Sequence, residues 1–149
     1  MRVLILLALA AVCAGCSSLP KPPSIKQATI TPPQLMPGDT AYITVAIQDR
    51  FGIVHRVAGS VKEDPAVTFQ LRDDGQPPDE AADDDIWSLQ VDVPFSAPAG
   101  QFQIDLTAFD SDGAVIAVRD ENGDAVPLQA TLSLGIRWPS SEPQPAPQP

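Results

Sequence analysis

Between Asp73 and Val118 the chain carries eleven carboxylates and not one lysine or arginine. The densest run is Asp73-Asp74, then Asp79-Glu80, then Asp83-Asp84-Asp85, with Asp110 and Asp112 further on. Carboxylates crowded in this way repel one another unless they are protonated or neutralised. Calcium is the natural counter-ion, being a hard cation that gathers roughly six to eight oxygens from several segments. The expectation is a Ca2+ site among Asp73, Asp74, Asp79, Asp83 and Asp85, with Asp110 and Asp112 as further candidates. The spacing is not that of an EF-hand, because Asp83-Asp84-Asp85 lacks that loop's glycine and distal glutamate. The plainer alternative is that these residues cap turns and keep the surface soluble.

The elements that must position these acids alternate with period two. Ile43, Val45 and Ile47 alternate with Tyr42, Thr44, Ala46 and Gln48; Val67, Phe69 and Leu71 with Thr68 and Gln70. Trp87, Leu89, Val91 and Val93 follow the same rule, as do Phe102, Ile104, Leu106 and Ala108, and Leu128, Ala130, Leu132, Leu134 and Ile136. Each run predicts a strand with one buried and one wet face. Weaker strands are expected near Ala28–Thr31, Ile53–Val61 and Ala114–Val118, and Pro or Gly stands at nearly every boundary. About eight short strands predict an all-β fold: an antiparallel two-sheet sandwich of immunoglobulin-like type, without the cysteine pair of antibody domains. Trp87 then fills the core. If every connection reverses direction, the loops at Asp49–Gly52, Arg72–Asp85 and Ser111–Gly113 share one end of the sandwich. They collect the acids there, with Arg50 and Arg72 as the nearby cations.

Around this pattern the chain divides into four parts. Residues 27–138 form the sandwich. Residues 16–26 belong to a Pro-rich leader, with Pro20, Pro22 and Pro23, that holds the domain off whatever its start is attached to. Residues 139–149, mostly Pro, Gln and Ser, are too polar to form a core and are expected to be disordered.

The middle of the chain resembles a bacterial extracytoplasmic immunoglobulin-like module. The resemblance runs over Val67 to Gly113. It is carried by Phe69-Gln-Leu-Arg-Asp-Asp-Gly75, Asp79-Glu-Ala-Ala-Asp-Asp-Asp-Ile-Trp-Ser88 and Gly100-Gln-Phe-Gln-Ile-Asp-Leu-Thr-Ala-Phe-Asp-Ser-Asp-Gly113. It implies the fold and leaves the function open, because such modules do many jobs. Asp83 and Asp85 stand where that family often has glycine. Asp tolerates positive φ better than most residues and less well than glycine.

The first residues give an address. Arg2 is a positive n-region, Val3 to Val12 is uninterruptedly apolar, and Cys13-Ala14-Gly15 leads to Cys16. This apolar stretch is shorter than the roughly 20 residues that cross a bilayer as a helix, so residues 1–15 read as a cleaved signal peptide. Ala14-Gly15-Cys16 resembles the lipobox of bacterial lipoproteins, with Cys13 where leucine is usual. The resemblance implies cleavage between Gly15 and Cys16, diacylglycerol on the Cys16 sulfur and an acyl chain, such as palmitate, on the new N-terminus. Ser17 then implies the outer membrane, facing the periplasm or the outside, if the host has two membranes. Ordinary cleavage near Ala14 or Gly15, giving a soluble secreted protein, is the alternative.

This address bounds the chemistry. The mature chain would have no thiol and no disulfide. Loss of Arg2 leaves eight basic against nineteen acidic residues, a net charge of −11. Such a chain repels nucleic acids and anionic headgroups. The single histidine, His55, has no thiol to activate, and no Gly-x-Ser-x-Gly elbow, His-Glu-x-x-His or phosphate loop is present. Paired carboxylates can hydrolyse glycosides, but Tyr42, Phe51 and Trp138 are scattered and offer little surface for sugar. The expectation is a lipid-anchored envelope protein, not an enzyme, that binds or scaffolds a partner protein and meets the membrane through its anchor. The alternative is a calcium-dependent adhesion or glycan-binding module that uses the acidic end.

Overall fold

The computed structural model describes residues 21–139. The expected signal sequence with Gly15, the expected lipid-attachment site Cys16 and the residues from 140 onward lie outside the described residues. The strands are β1 (Ser24–Thr31), β2 (Gln34–Leu35), β3 (Thr40–Gln48), β4 (Arg56–Val61), β5 (Asp64–Leu71), β6 (Ile86–Asp92), β7 (Gly100–Phe109), β8 (Ala117–Arg119), β9 (Ala125–Pro127) and β10 (Gln129–Ile136). One sheet has the order β1-β3-β6 and the other β2-β10-β7-β4-β5, while β8 and β9 form a separate hairpin. Pairing is antiparallel throughout, except between β2 and β10. This is an immunoglobulin-like sandwich: β1, β3 and β6 occupy one layer, and the consecutive strands β4 and β5 join β7 and β10 in the other.

Alternation builds the core as expected. Ile43, Val45 and Ile47 of β3 face Ile104, Leu106 and Ala108 of β7, all buried, with Val57, Leu71 and Leu134 closing the layer. Tyr42, Thr44 and Ala46 point the other way, out of the three-stranded sheet. Trp87, Leu89 and Val91 pack their inner faces against this core.

Among the described residues ten strands form where about eight were expected. β1 begins at Ser24, ahead of the domain start expected at 27, because residues 24–31 are free of proline. Pro32 and Pro33 then end the strand, since proline has no N–H to give a ladder. The Pro33 carbonyl still accepts from Gly135 N–H at 2.9 Å, which starts the short pairing of β2 with β10. The weak strand near Ile53 shrinks to Arg56–Val61, because the Asp49 carboxylate takes the N–H groups of Phe51 and Val54 and holds a loop. The expected strand at Ala114–Val118 becomes one bridge, Val115 to Phe109, and then the β8–β9 hairpin.

After β5 the chain crosses between sheets. Arg72 and Ser88 exchange backbone hydrogen bonds of 2.9 and 2.7 Å, so Arg72 caps part of the β6 edge before the long acidic loop begins.

Candidate functional site

The three acid-rich loops do leave from one end. Ala46 at the close of β3 pairs with Ile86 at the opening of β6, and Phe109 at the close of β7 pairs with Arg56 at the opening of β4. Ile47 N–H also reaches the Asp85 carbonyl at 2.9 Å. The N-terminus of β1 lies at this same end, since Ser24 pairs with Gln48.

Most of the aspartates there are bound to backbone. Asp73 takes the N–H groups of Asp84 and Asp85 at 3.2 and 3.1 Å, one on each carboxylate oxygen. Asp74 accepts from Gln76 N–H at 2.9 Å and pairs with Arg72 at 3.6 Å. Asp85 accepts a long bond of 3.4 Å from Asp49 N–H. Asp110 takes the N–H groups of Asp112 and Ala114 on one oxygen. These acids replace water around loop N–H groups, as turn-forming aspartates do. Asp83 and Asp85 both sit at positive φ, 58° and 66°, a conformation that glycine adopts more readily.

Of the expected ligands, the structure brings Asp73 and Asp79 together, and it adds Asp84, with oxygens of all three within 4.8 Å of one another. Asp74, Asp83, Asp85, Asp110 and Asp112 are not in this group. Three carboxylates supply a fraction of a calcium shell, and Asp73 already spends both oxygens on N–H groups, so carbonyls or water must complete it. Crowding shows in Asp73, whose carboxyl is pushed above its ordinary range, first by burial and then by Asp79 and Asp84, against the pull of its two backbone hydrogen bonds.

Asp79 is 5% exposed, and one of its oxygens accepts from Gly75 N–H at 2.6 Å. It lies in the part of the loop that folds back over the outer face of the three-stranded sheet, where Pro78, Asp79, Glu80 and Asp84 form one wall of a cleft of about 310 Å³. The floor is Thr44, Ala46 and Ser88, side chains that alternation had placed on a wet face, together with Ile86. The sequence carries no sign that the loop would cover them. A second groove, of about 420 Å³, is lined by Asp49, Asp73, Asp83 and Asp85 with His55 and Trp87. His55 is exposed. At the opposite end Trp138 is about half exposed and donates its indole N–H to the Ala97 carbonyl at 3.2 Å.

No family model matches the chain, and no curated protein matches it. Among solved structures it is similar to a Niemann-Pick type C2 protein from the Japanese carpenter ant, at 10% identity and a TM-score of 0.45, over 78% of this chain and 94% of that one.

Proposed function

We propose that this chain is a non-enzymatic binding or scaffold module of the bacterial envelope, anchored through lipid on Cys16 and engaging a partner protein. The observation that carries the binding reading is the open edge of β6, the outermost strand of its sheet. Ser88 turns its backbone N–H and C=O outward to Arg72, and period two gives the same outward direction to those of Gln90 and Asp92, which have no strand beside them among the described residues. An edge of this kind accepts a partner strand by backbone pairing. A photo-crosslinker in place of exposed Gln90 should trap a discrete partner in intact cells, and one in place of Thr131, mid-face on the other sheet, should not. Equal labelling from both positions would overturn the edge. In the same cells the wild-type chain should sediment with membranes and Cys16→Ser should not; identical fractionation would remove the anchor.

A second reading, a calcium-dependent adhesion or glycan-binding module, is favoured by the convergence of Asp73, Asp79 and Asp84. A ligand that binds only the folded state raises its stability by mass action. Thermal unfolding in millimolar calcium should then exceed that in EDTA by several degrees, and coincident curves would sink the reading.

A further inference from the structure

We infer that the cleft between the acidic loop and the three-stranded sheet is a receptor for an alkyl-ammonium group, the side chain of a lysine on the partner protein. The inference rests on the reading of the chain as a binding module. It names the chemistry by which the partner would be recognised.

Two polar side chains in the cleft are more than nine-tenths buried. Asp79 is 5% exposed and Ser88 is 4% exposed. The Ser88 hydroxyl makes no hydrogen bond among the described residues, and its side chain faces the cleft. Its oxygen is not among the fully enclosed side-chain atoms left without a partner, so it is open to the cleft, where a donor can bond to it. Beside it stand carboxylate oxygens that the loop leaves over. Asp79 gives one oxygen to Gly75 N–H, Asp84 gives one to Ile86 N–H, and Glu80 gives none. Asp79 and Asp84 are close enough for a single small group to touch both. A lysine ammonium has three donors and no acceptor. One oxygen each from Asp79, Asp84 and Ser88 would satisfy all three.

The rest of the lining decides between cations. Ala46 and Ile86 form an apolar floor that a bare metal ion does not need and that suits the four-carbon stem of lysine. Among the described residues no aromatic ring lines the cleft, so it lacks the stacking face that suits a guanidinium. No cation lines it among the described residues: Arg72, the basic residue of this loop, turns to Asp74 and to the Pro77 carbonyl.

The test is an NMR titration of the full chain in a neutral maltoside detergent. The probes are Nα-acetyl-lysine N-methylamide, its Nε-acetylated counterpart and calcium chloride. The lysine probe should shift the Ile86 and Ser88 amides saturably, and the Nε-acetylated form should not. Asp84→Asn, which keeps an acceptor for Ile86 N–H, should weaken the lysine probe about tenfold, the scale of one charge-assisted hydrogen bond. Ser88→Ala and Glu80→Gln should weaken it too while the melting temperature stays put. No shift, an equal shift with the uncharged probe, or a response to calcium alone would overturn the inference. Crosslinking from Gln90 would then still stand as evidence for a binding module, so the two failures are separable.

Discussion

Asp73 shows what single residues contribute to this end of the molecule. Its carboxyl ionises above the ordinary value of 3.8 because burial, helped by Asp79 and Asp84, disfavours the charge. The folded state therefore holds more protons than the unfolded chain between the two values, and stability falls as pH rises through that window. Asp73→Asn removes this dependence and adds a pH-independent loss of one acceptor. The stability advantage of wild type over Asp73→Asn, measured by urea denaturation, should decline as pH rises through and above the ordinary value of 3.8. Parallel profiles would mean that burial does not disfavour the charge. Saturating calcium, if it sits on Asp73, Asp79 and Asp84, should flatten the decline. The positive φ values of Asp83 and Asp85 give a second residue-level contrast. Relief of the left-handed strain opposes the extra chain entropy of glycine, so Asp83→Gly should be close to neutral, whereas Asp83→Ala should cost about 1 kcal/mol. A larger loss for glycine than for alanine would mean that the strain account is wrong at this position.

At the scale of elements, the two loops around β8 follow one rule. Asp110 and Asp120 each take the N–H groups two and four residues on, and Gly113 and Gly123 supply positive φ at the fourth position of each turn. The Asp-x-x-Gly spacing was visible in the sequence; that two such turns would cut an expected strand into a hairpin was not, because strand periodicity does not count turns. The strands β3, β6, β7 and β10 were legible because their alternation is long. β2 was not, since two residues cannot show a period. The common end for the acidic loops also followed from reversals along the chain. Which acids converge did not: Asp84 is flanked by two left-handed residues, and linear spacing does not show where such a segment turns its side chains. Packing of the edge strand was equally hidden. Phe69 of β5 lays its ring over Gly59 of β4, so any Cβ there runs into the ring. Gly59→Val should cost about 1–3 kcal/mol by overpacking. Combining it with Phe69→Ala should cost less than the sum of the two single changes, because the clash is removed. Additive losses would place the damage elsewhere.

For the whole molecule, the direction of the chain matters more than its net charge of −10. β1 enters the sandwich at the acidic end, beside Gln48, and β10 leaves at the other, where Ile136 pairs with Gly100. With the proposed anchor on Cys16, seven residues separate the lipid from Ser24, about 22 Å in a polyproline-like form. Such a short tether at the acidic end would turn that end toward the bilayer and present the opposite end, where Phe95 is 80% exposed and Trp138 52%, to the surroundings. Like charge between the loops and anionic headgroups would oppose this orientation within about one Debye length. Strand β7 has ten residues and spans about 33 Å, so the two ends are well resolved by fluorescence. Labels on Ser111→Cys at the acidic end and on Ser96→Cys at the far end should differ in energy transfer to an acceptor in the lipid. Ser111 should transfer more strongly, and the gap should narrow in anionic vesicles at low salt and widen in neutral ones. The reverse order would mean that Phe95 and Trp138 meet the bilayer and that the domain folds down over its own anchor.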